Sequence, residues 1–303
     1  MYKAEIIAGS KCKGHKIATF KITFPRFILA ELNTHRMLSK NSASSRAIPF
    51  EKMVQSVMEN PFIPLRWMKE HKGMQGTEYW TDQDKTENGR SMPEYMQSVW
   101  LHGRDSAVRH ATELHDAGLT KQICNRPLEA YMWHTVIITG TEWENFFAQR
   151  AHPDAEIHMQ NLAYLMLDAY NDYEFNELQP GQWHMPFGEK ILFDMDFHKF
   201  VEQLHPGLNY EDNSEACCKI ALKVSTAMCA RVSYTVVGEE SRTPNYAADV
   251  VLHDRLIKSG HMSPFEHCAY ATGNAIPSGN FVGFVQYRKM LVGENKSDAR
   301  LKK

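Results

Sequence analysis

The sequence predicts an α+β fold, a mixed sheet flanked by helices, on three observations. KIATFKITFP places Ala18, Phe20, Ile22 and Phe24 on one side and Ile17, Thr19, Lys21 and Thr23 on the other, the period-two pattern of a half-buried strand. Several later stretches repeat apolar residues at three and four, the spacing of amphipathic helices. No regular βαβ alternation and no glycine-rich dinucleotide fingerprint appears, so strands and helices are mixed without a doubly wound order.

In chain order, a strand is expected from about residue 16 to 24. Pro25 suits a helix first turn, and RFILAELNTHRML carries helix formers up to a run of hydroxyl and amide side chains. His35 and Arg36 are expected near the C-terminal end of that helix, with the Ser/Asn run as the loop after it. Residues 50 to 93 read as a polar, irregular surface excursion. From Met96, helical spacing through Trp100, Ala107, Ala111 and Leu114 continues to Ala117, and Gly118 is placed as a C-terminal stop.

Thr141-x-x-Glu144 has the form of a capping box, so WENFFAQR is expected as a short helix with Arg150 near its end. A further helix is expected to open at Pro153, carried by Ala155, Met159, Leu162, Ala163, Met166 and Tyr170. Residues 176 to 215 read as a connector with some helix around DFHKFVEQL. CCKIALKVSTAMCARVSY and VVLHDRLIKSGH then predict two more helices, the second ended by Gly260.

Composition narrows the function classes. In 303 residues, 43% hydrophobic and 23% charged, a net charge of -2 gives no broad basic surface for nucleic acid. No apolar run approaches the roughly 18 residues of a membrane span, and the N-terminus lacks a signal-peptide pattern, so a cytoplasmic protein is expected. The 6 cysteines are scattered with no C-x-x-C pair, as reduced thiols would be.

Two stretches concentrate chemistry. THRMLSKNSASSR packs donors for anionic oxygen: His35, Arg36, Asn41, Ser44, Ser45 and Arg46 within a dozen positions. HMSPFEH holds His261, Ser263, Glu266 and a second imidazole in seven positions, but the familiar zinc spacings are absent and no metal is predicted. On spacing alone, Ser263 and Glu266 could instead cap the next element.

HMSPFEH closely resembles the H-x-SPFEH signature of flavin-dependent thymidylate synthases. THRMLSKNSASSR resembles that family's R-H-R, S-x-N-x-x-S-x-R motif, keeping His35, Arg36, Ser39, Asn41, Ser44 and Arg46 at the same spacing. Cys229 to Tyr234 resembles its ARVS segment, and Asn145 and Arg150 with AEIHMQNLA resemble its closing helix region. The order departs from the family's: ARVSY and HMSPFEH come last here, so the chain reads as circularly permuted, which close termini make tolerable. Thr34 stands where the family has its first arginine, and Ser42 where many members carry a glutamate. FVGFVQYRKMLVGEN offers Gln286, Arg288 and Glu294 in roughly the order the intact motif would show, either as a returned half of a split motif or as a solvated helix end.

The resemblance implies one catalytic domain over 1–303: a first block to residue 175, the connector 176–215, and a last block from 216. It implies reductive methylation of a uracil nucleotide at C5, dUMP to dTMP, with methylenetetrahydrofolate as carbon donor, NADPH as reductant and bound FAD, in a homotetramer with sites at subunit contacts. His35, Arg36, Asn41, Arg46, Asn145, His261, Ser263 and Glu266 would hold FAD. Ser44, Ser45, Arg46, Arg126, Arg150, Gln286, Arg288 and Glu294 would hold the nucleotide, with Arg150 and Ser44 the expected catalytic pair. A guanidinium beside the uracil carbonyl stabilises charge developing on the ring. Two alternatives stay open: methylation or hydroxymethylation of another pyrimidine nucleotide, and a non-catalytic nucleotide- or nucleic-acid-binding relative.

Overall fold

The structure is a computed structural model, and it describes residues 1–73, 76–206, 214–234 and 245–295. Strands β1 (Lys3–Cys12) and β2 (His15–Pro25) form an antiparallel hairpin. A 3₁₀ turn (Arg26–Ile28) and a short helix α1 (Leu29–Leu32) follow, then β3 (Ser39–Ser42), α2 (Phe50–Glu59), α3 (Met92–Asp116), α4 (Lys121–Cys124) and β4 (Trp133–Gly140). Helices α5 (Glu144–Arg150) and α6 (Ile157–Asp172) lead to β5 (Asn176–Glu177), β6 (Trp183–His184), α7 (Gly188–Leu192) and α8 (Met195–Leu204). The last part holds α9 (Ser214–Arg231), α10 (Tyr246–Ser259), β7 (Ala269–Ala271), β8 (Pro277–Ser278), β9 (Phe281–Val282) and β10 (Phe284–Gln286).

The main sheet has the order β3-β4-β2-β1-β5, antiparallel except for the β1–β5 pair. A small antiparallel sheet, β10-β7-β6, and the β8–β9 hairpin complete the β structure among the described residues. The expected α+β mixture is therefore present.

Both faces of the main sheet are covered. Ala18, Phe20, Ile22 and Phe24 of β2, with Val136 and Ile138 of β4, pack on Phe146, Met159, Leu162 and Met166 of α5 and α6. The opposite face was expected to meet solvent, yet Ile17 and Thr19 are fully buried there. The last block covers it: Ile17 packs with Ala269, Ala271, Phe281 and Phe284, and Ile137 with Cys229 and Val232. Burying threonines costs free energy unless they are hydrogen-bonded. They are, in a chain that runs from Ser10 Oγ to His184 Nδ1 (2.9 Å), His184 Nε2 to Thr19 Oγ1 (2.8 Å), Thr19 to Thr139 (2.8 Å) and Thr139 Oγ1 to His267 Nδ1 (2.8 Å).

Several boundaries differ from expectation. The Ser/Asn run is not a loop: Ser39, Lys40, Asn41 and Ser42 form the edge strand β3, paired with Thr139, Ile138, Ile137 and Val136. The preceding helix ends at Leu32, which leaves His35 and Arg36 in a turn beyond it. Within the expected excursion, Phe50, Met53 and Val57 bury one face of α2. Helix α3 starts four residues early because Ser91 caps it and Pro93 suits its first turn. Thr141 does not cap α5; its hydroxyl accepts the Val282 amide at 3.0 Å. Helix α6 opens at Ile157 rather than Pro153, because the Glu156 carboxylate accepts the amides of His158 and Met159. Helices α8, α9 and α10 fall where the periodicity put them, and Gly260 closes α10 with φ of 70°.

Candidate active site

Strand β3 fixes one wall of the site. HMSPFEH runs opposite it as a 3₁₀ turn, Ser263–Glu266, anchored by buried Pro264 and Phe265. Buried Asn41 ties the two together: its Nδ2 donates to the Cys229 carbonyl at 2.7 Å, and its Oδ1 accepts from Ser263 Oγ at 3.1 Å. Ser233 Oγ donates to the Ser42 carbonyl, and the Ser44 amide donates to the Ser233 carbonyl, each at 3.1 Å. The ARVSY and HMSPFEH segments thus both close on the THRMLSKNSASSR strand, which lies about two hundred residues away in sequence.

The QYRK segment supplies a third wall. Gln286 is buried and donates to Ser39 Oγ (3.1 Å) and Asn280 Oδ1 (2.6 Å). Arg288 is gripped by Glu266 (2.6 Å) and Glu294 (2.7 Å), and Lys289 pairs with Glu294 at 2.6 Å. Between these walls lies a cleft of about 330 Å³, lined by Arg36, Leu38, Ser39, Lys40, Glu266, Gly279, Asn280, Gln286, Arg288 and Lys289. Four cations line it against Glu266, with Glu294 pairing Arg288 and Lys289, and hydroxyl and amide donors stand between them, a set of groups suited to an anionic oxygen group.

A second cluster flanks the motif. Arg150, at the end of α5, donates through Nε to His35 Nε2 at 2.8 Å and through Nη2 to Thr34 Oγ1 at 3.3 Å. Burial first, then Arg150 and Lys40, hold the His35 pKa down at about 4, so its ring is neutral and accepts at Nε2. Its ring also stands edge-on to Phe146. On the far side of β3, Glu129 accepts from Ser45 Oγ (2.9 Å), Arg126 (2.8 Å) and Arg26 (3.3 Å), while Arg46 Nε donates to Gln122 at 3.2 Å.

The expected site residues thus fall into groups. Arg36, Glu266, Gln286 and Arg288 line the cleft, with Asn41, Ser44 and Ser263 in the seam behind it and Glu294 bracing Arg288. His35 and Arg150 form the adjoining pair. Ser45, Arg46 and Arg126 lie on the Glu129 side, Asn145 is exposed on α5, and His261 is exposed with Nδ1 on Ser259 Oγ at 2.8 Å; none of these lines the cleft.

Sequence reasoning missed Lys40, Asn280, Glu129 and Asn125. Asn125 Nδ2 holds the carbonyls of Ser45 and Ile48, and so shapes the turn that carries Arg46. Asn280 had a signal in its Ser-Gly-Asn turn, but nothing local ties that turn to Ser39.

No thiol at the site is activated. Cys268 is fully buried, and burial pushes its pKa up to about 11; burial also raises Cys229 well above the ordinary thiol value. His267, beside Cys268, is held at about 3 by burial and cannot act as a neighbouring imidazolium.

The family model of the thymidylate synthase complementing protein matches residues 13–173, more than half of the chain. The chain belongs to this family. The match takes in β2, the whole of β3 and the Arg150 helix, and with them the cleft residues Arg36, Leu38, Ser39 and Lys40. The walls from Ser263–Glu266 and Gln286–Lys289 lie outside the match. No curated protein matches the chain.

Proposed function

We propose that this chain is a flavin-dependent thymidylate synthase that converts dUMP to dTMP, with methylenetetrahydrofolate as carbon donor and NADPH as reductant of bound FAD. The observation that carries the reading is the seam at Asn41, where the family motif meets the HMSPFEH segment and opens a cationic cleft. The donor set suits a phosphate or pyrophosphate: guanidinium and ammonium groups with hydroxyl and amide donors between them. A cleft of about 330 Å³ fits that end of a ligand and not an entire flavin dinucleotide, so the rest of FAD would lie across the neighbouring surface. Arg46, Asn145 and His261 are exposed outside the cleft, which favours a site completed by a second copy in a homotetramer.

FAD, when bound, would supply the hydride that completes the methyl group. The chain's own residues orient and polarise. Arg150 has two of its nitrogens committed to His35 and Thr34, which fixes the plane of the guanidinium; the remaining Nη1 would stabilise negative charge on the uracil ring. Ser44 has its amide tied to Ser233, and its hydroxyl would reach the nucleotide from that fixed backbone. The motif split follows the same logic: Arg288 would supply the charge absent at Thr34.

The test is incubation of the protein with FAD, NADPH, methylenetetrahydrofolate and a panel of pyrimidine nucleotides, with products weighed by mass spectrometry. dTMP from dUMP is expected from a yellow, flavin-bearing protein. A hydroxymethyl product, or turnover of another pyrimidine only, would replace this substrate assignment. A colourless protein that takes up neither FAD nor nucleotide would overturn the enzyme.

A further inference from the structure

The four cations of the cleft are not equivalent. Arg288 is already paired with Glu266 and Glu294, and Lys289 with Glu294. Neither Arg36 nor Lys40 has a carboxylate within ion-pair distance among the described residues, but Arg36 is exposed to water whereas Lys40 is half-buried. Its Nζ donates to two carbonyls of its own turn, His35 O at 2.5 Å and Leu38 O at 3.0 Å, which fixes the head group of a residue that lines the cleft and leaves one N–H unassigned. A lysine withdrawn from water without a counter-ion is unfavourable, and the usual resolution is loss of its proton or arrival of an anion.

We propose that Lys40 is a phosphate-binding residue of this cleft that takes up a proton when the ligand's anionic group arrives. The proposal rests on the nucleotide reading of the site and adds to it a residue and a coupling. Burial lowers the Lys40 pKa to about 8, with Glu266 opposing the shift, so near pH 8 a large fraction is neutral in the free protein. A phosphate dianion against Nζ favours the charged form, so binding draws a proton from solvent. The sign follows: affinity is highest below pH 8 and falls as pH rises through the free-protein pKa.

The other charged groups facing Lys40 do not reproduce this behaviour. Arg36 and Arg288 are guanidinium groups that keep their charge in this range. Glu266 is engaged by Arg288, and His35 is already neutral well below pH 8. Arg150 is bonded to His35 and Thr34. Lys289 is held by Glu294.

The experiment is isothermal titration of the full chain with dUMP, and separately with FAD, at pH 8 in buffers of different ionisation enthalpy. Wild-type protein should show buffer-dependent heat equivalent to on the order of half a proton in the arm whose phosphate occupies the cleft. Lys40→Arg should bind with no uptake, because its charge is permanent, and its affinity should not fall between pH 7 and 9. Lys40→Met should bind roughly ten- to a hundredfold more weakly at pH 7 and show no uptake. Wild-type binding with buffer-independent heat in both arms, or uptake that survives in Lys40→Arg, overturns the role of Lys40 and leaves the nucleotide reading standing. Failure of the wild-type protein to bind either ligand overturns both.

Discussion

Replacing Asn41 by alanine tests whether the seam is what builds the site. The side chain is buried and bridges two segments that no main-chain ladder connects to β3: Nδ2 donates to the Cys229 carbonyl and Oδ1 accepts from Ser263. Losing the first contact leaves a carbonyl of fully buried Cys229 without its donor, a cost of about 1–3 kcal/mol. The second contact is worth less, about 0.5–1.5 kcal/mol, because Ser263 is exposed and its hydroxyl can turn to water. Together Asn41→Ala should lose about 1.5–4.5 kcal/mol. Asn41→Asp should lose at least as much, since a carboxylate cannot donate to the Cys229 carbonyl and sets negative charge against it. The assay is urea unfolding followed by circular dichroism, run beside FAD retention of the folded fraction. Both variants should shift the midpoint downward, and both should lose flavin at protein concentrations and temperatures where they remain folded. An Asn41→Ala protein within about 0.5 kcal/mol of wild type and fully loaded with flavin would refute the seam as the organising element.

Three further outcomes are expected. Arg288→Ala should fold, since its partners are partly exposed, yet lose roughly tenfold or more in nucleotide affinity; full activity would return QYRK to a surface role. Cys268→Ser should cost stability through the buried contacts with Ser225 and Thr226 but keep product per folded molecule, and a folded, ligand-binding, catalytically dead variant would establish a thiol route. His134, His184 and His267 are held by burial at about 3 against an ordinary 6.5, so the folded state excludes protons that the unfolded chain binds. Stability should therefore fall as pH drops below 6.5 by up to about 1.4 kcal/mol per unit for each histidine, and urea midpoints that do not change between pH 7 and 5 would show that these rings are not held neutral.

What the sequence revealed follows from what each signal depends on. β2, α3, α9 and α10 were legible because periodic burial writes itself into residue order. Helix α2 had the same kind of signal, with Phe50, Met53 and Val57 on one face, but the glycine-rich text after it dominated the reading. β3 had none: SKNS has no apolar alternation, and it is a strand because β4 offers it a free edge. The covered face of β2 was equally hidden, since Thr19 and Thr23 look like solvent-side residues until His184 arrives to bond one of them. Motif residues such as Asn41 and Ser263 were found as residue types at known spacing. That they touch each other was not written in either segment.

Blocks far apart in sequence can form one site because of where β3 lies. Opposite Thr139 and Ile137 of β4, the side chains of Ser39 and Asn41 stand on the sheet face that the last block covers, where they receive Gln286 and Ser263, and the Ser42 carbonyl accepts from Ser233. Those contacts are side-chain bonds, so they specify position without requiring the two blocks to be adjacent in sequence. The energy of closure comes from elsewhere, from Ile17 and Ile137 buried against Ala269, Phe284, Cys229 and Val232. Loop-closure entropy rises only with the logarithm of the intervening length, so a longer connection adds little to the cost of docking. Apolar burial on the sheet face thus holds the late block in place, and the polar seam sets its register to the motif strand. A cleft assembled this way depends on both, and a substitution in the apolar layer, such as Phe284→Ala, should loosen ligand binding without touching any group that contacts the ligand.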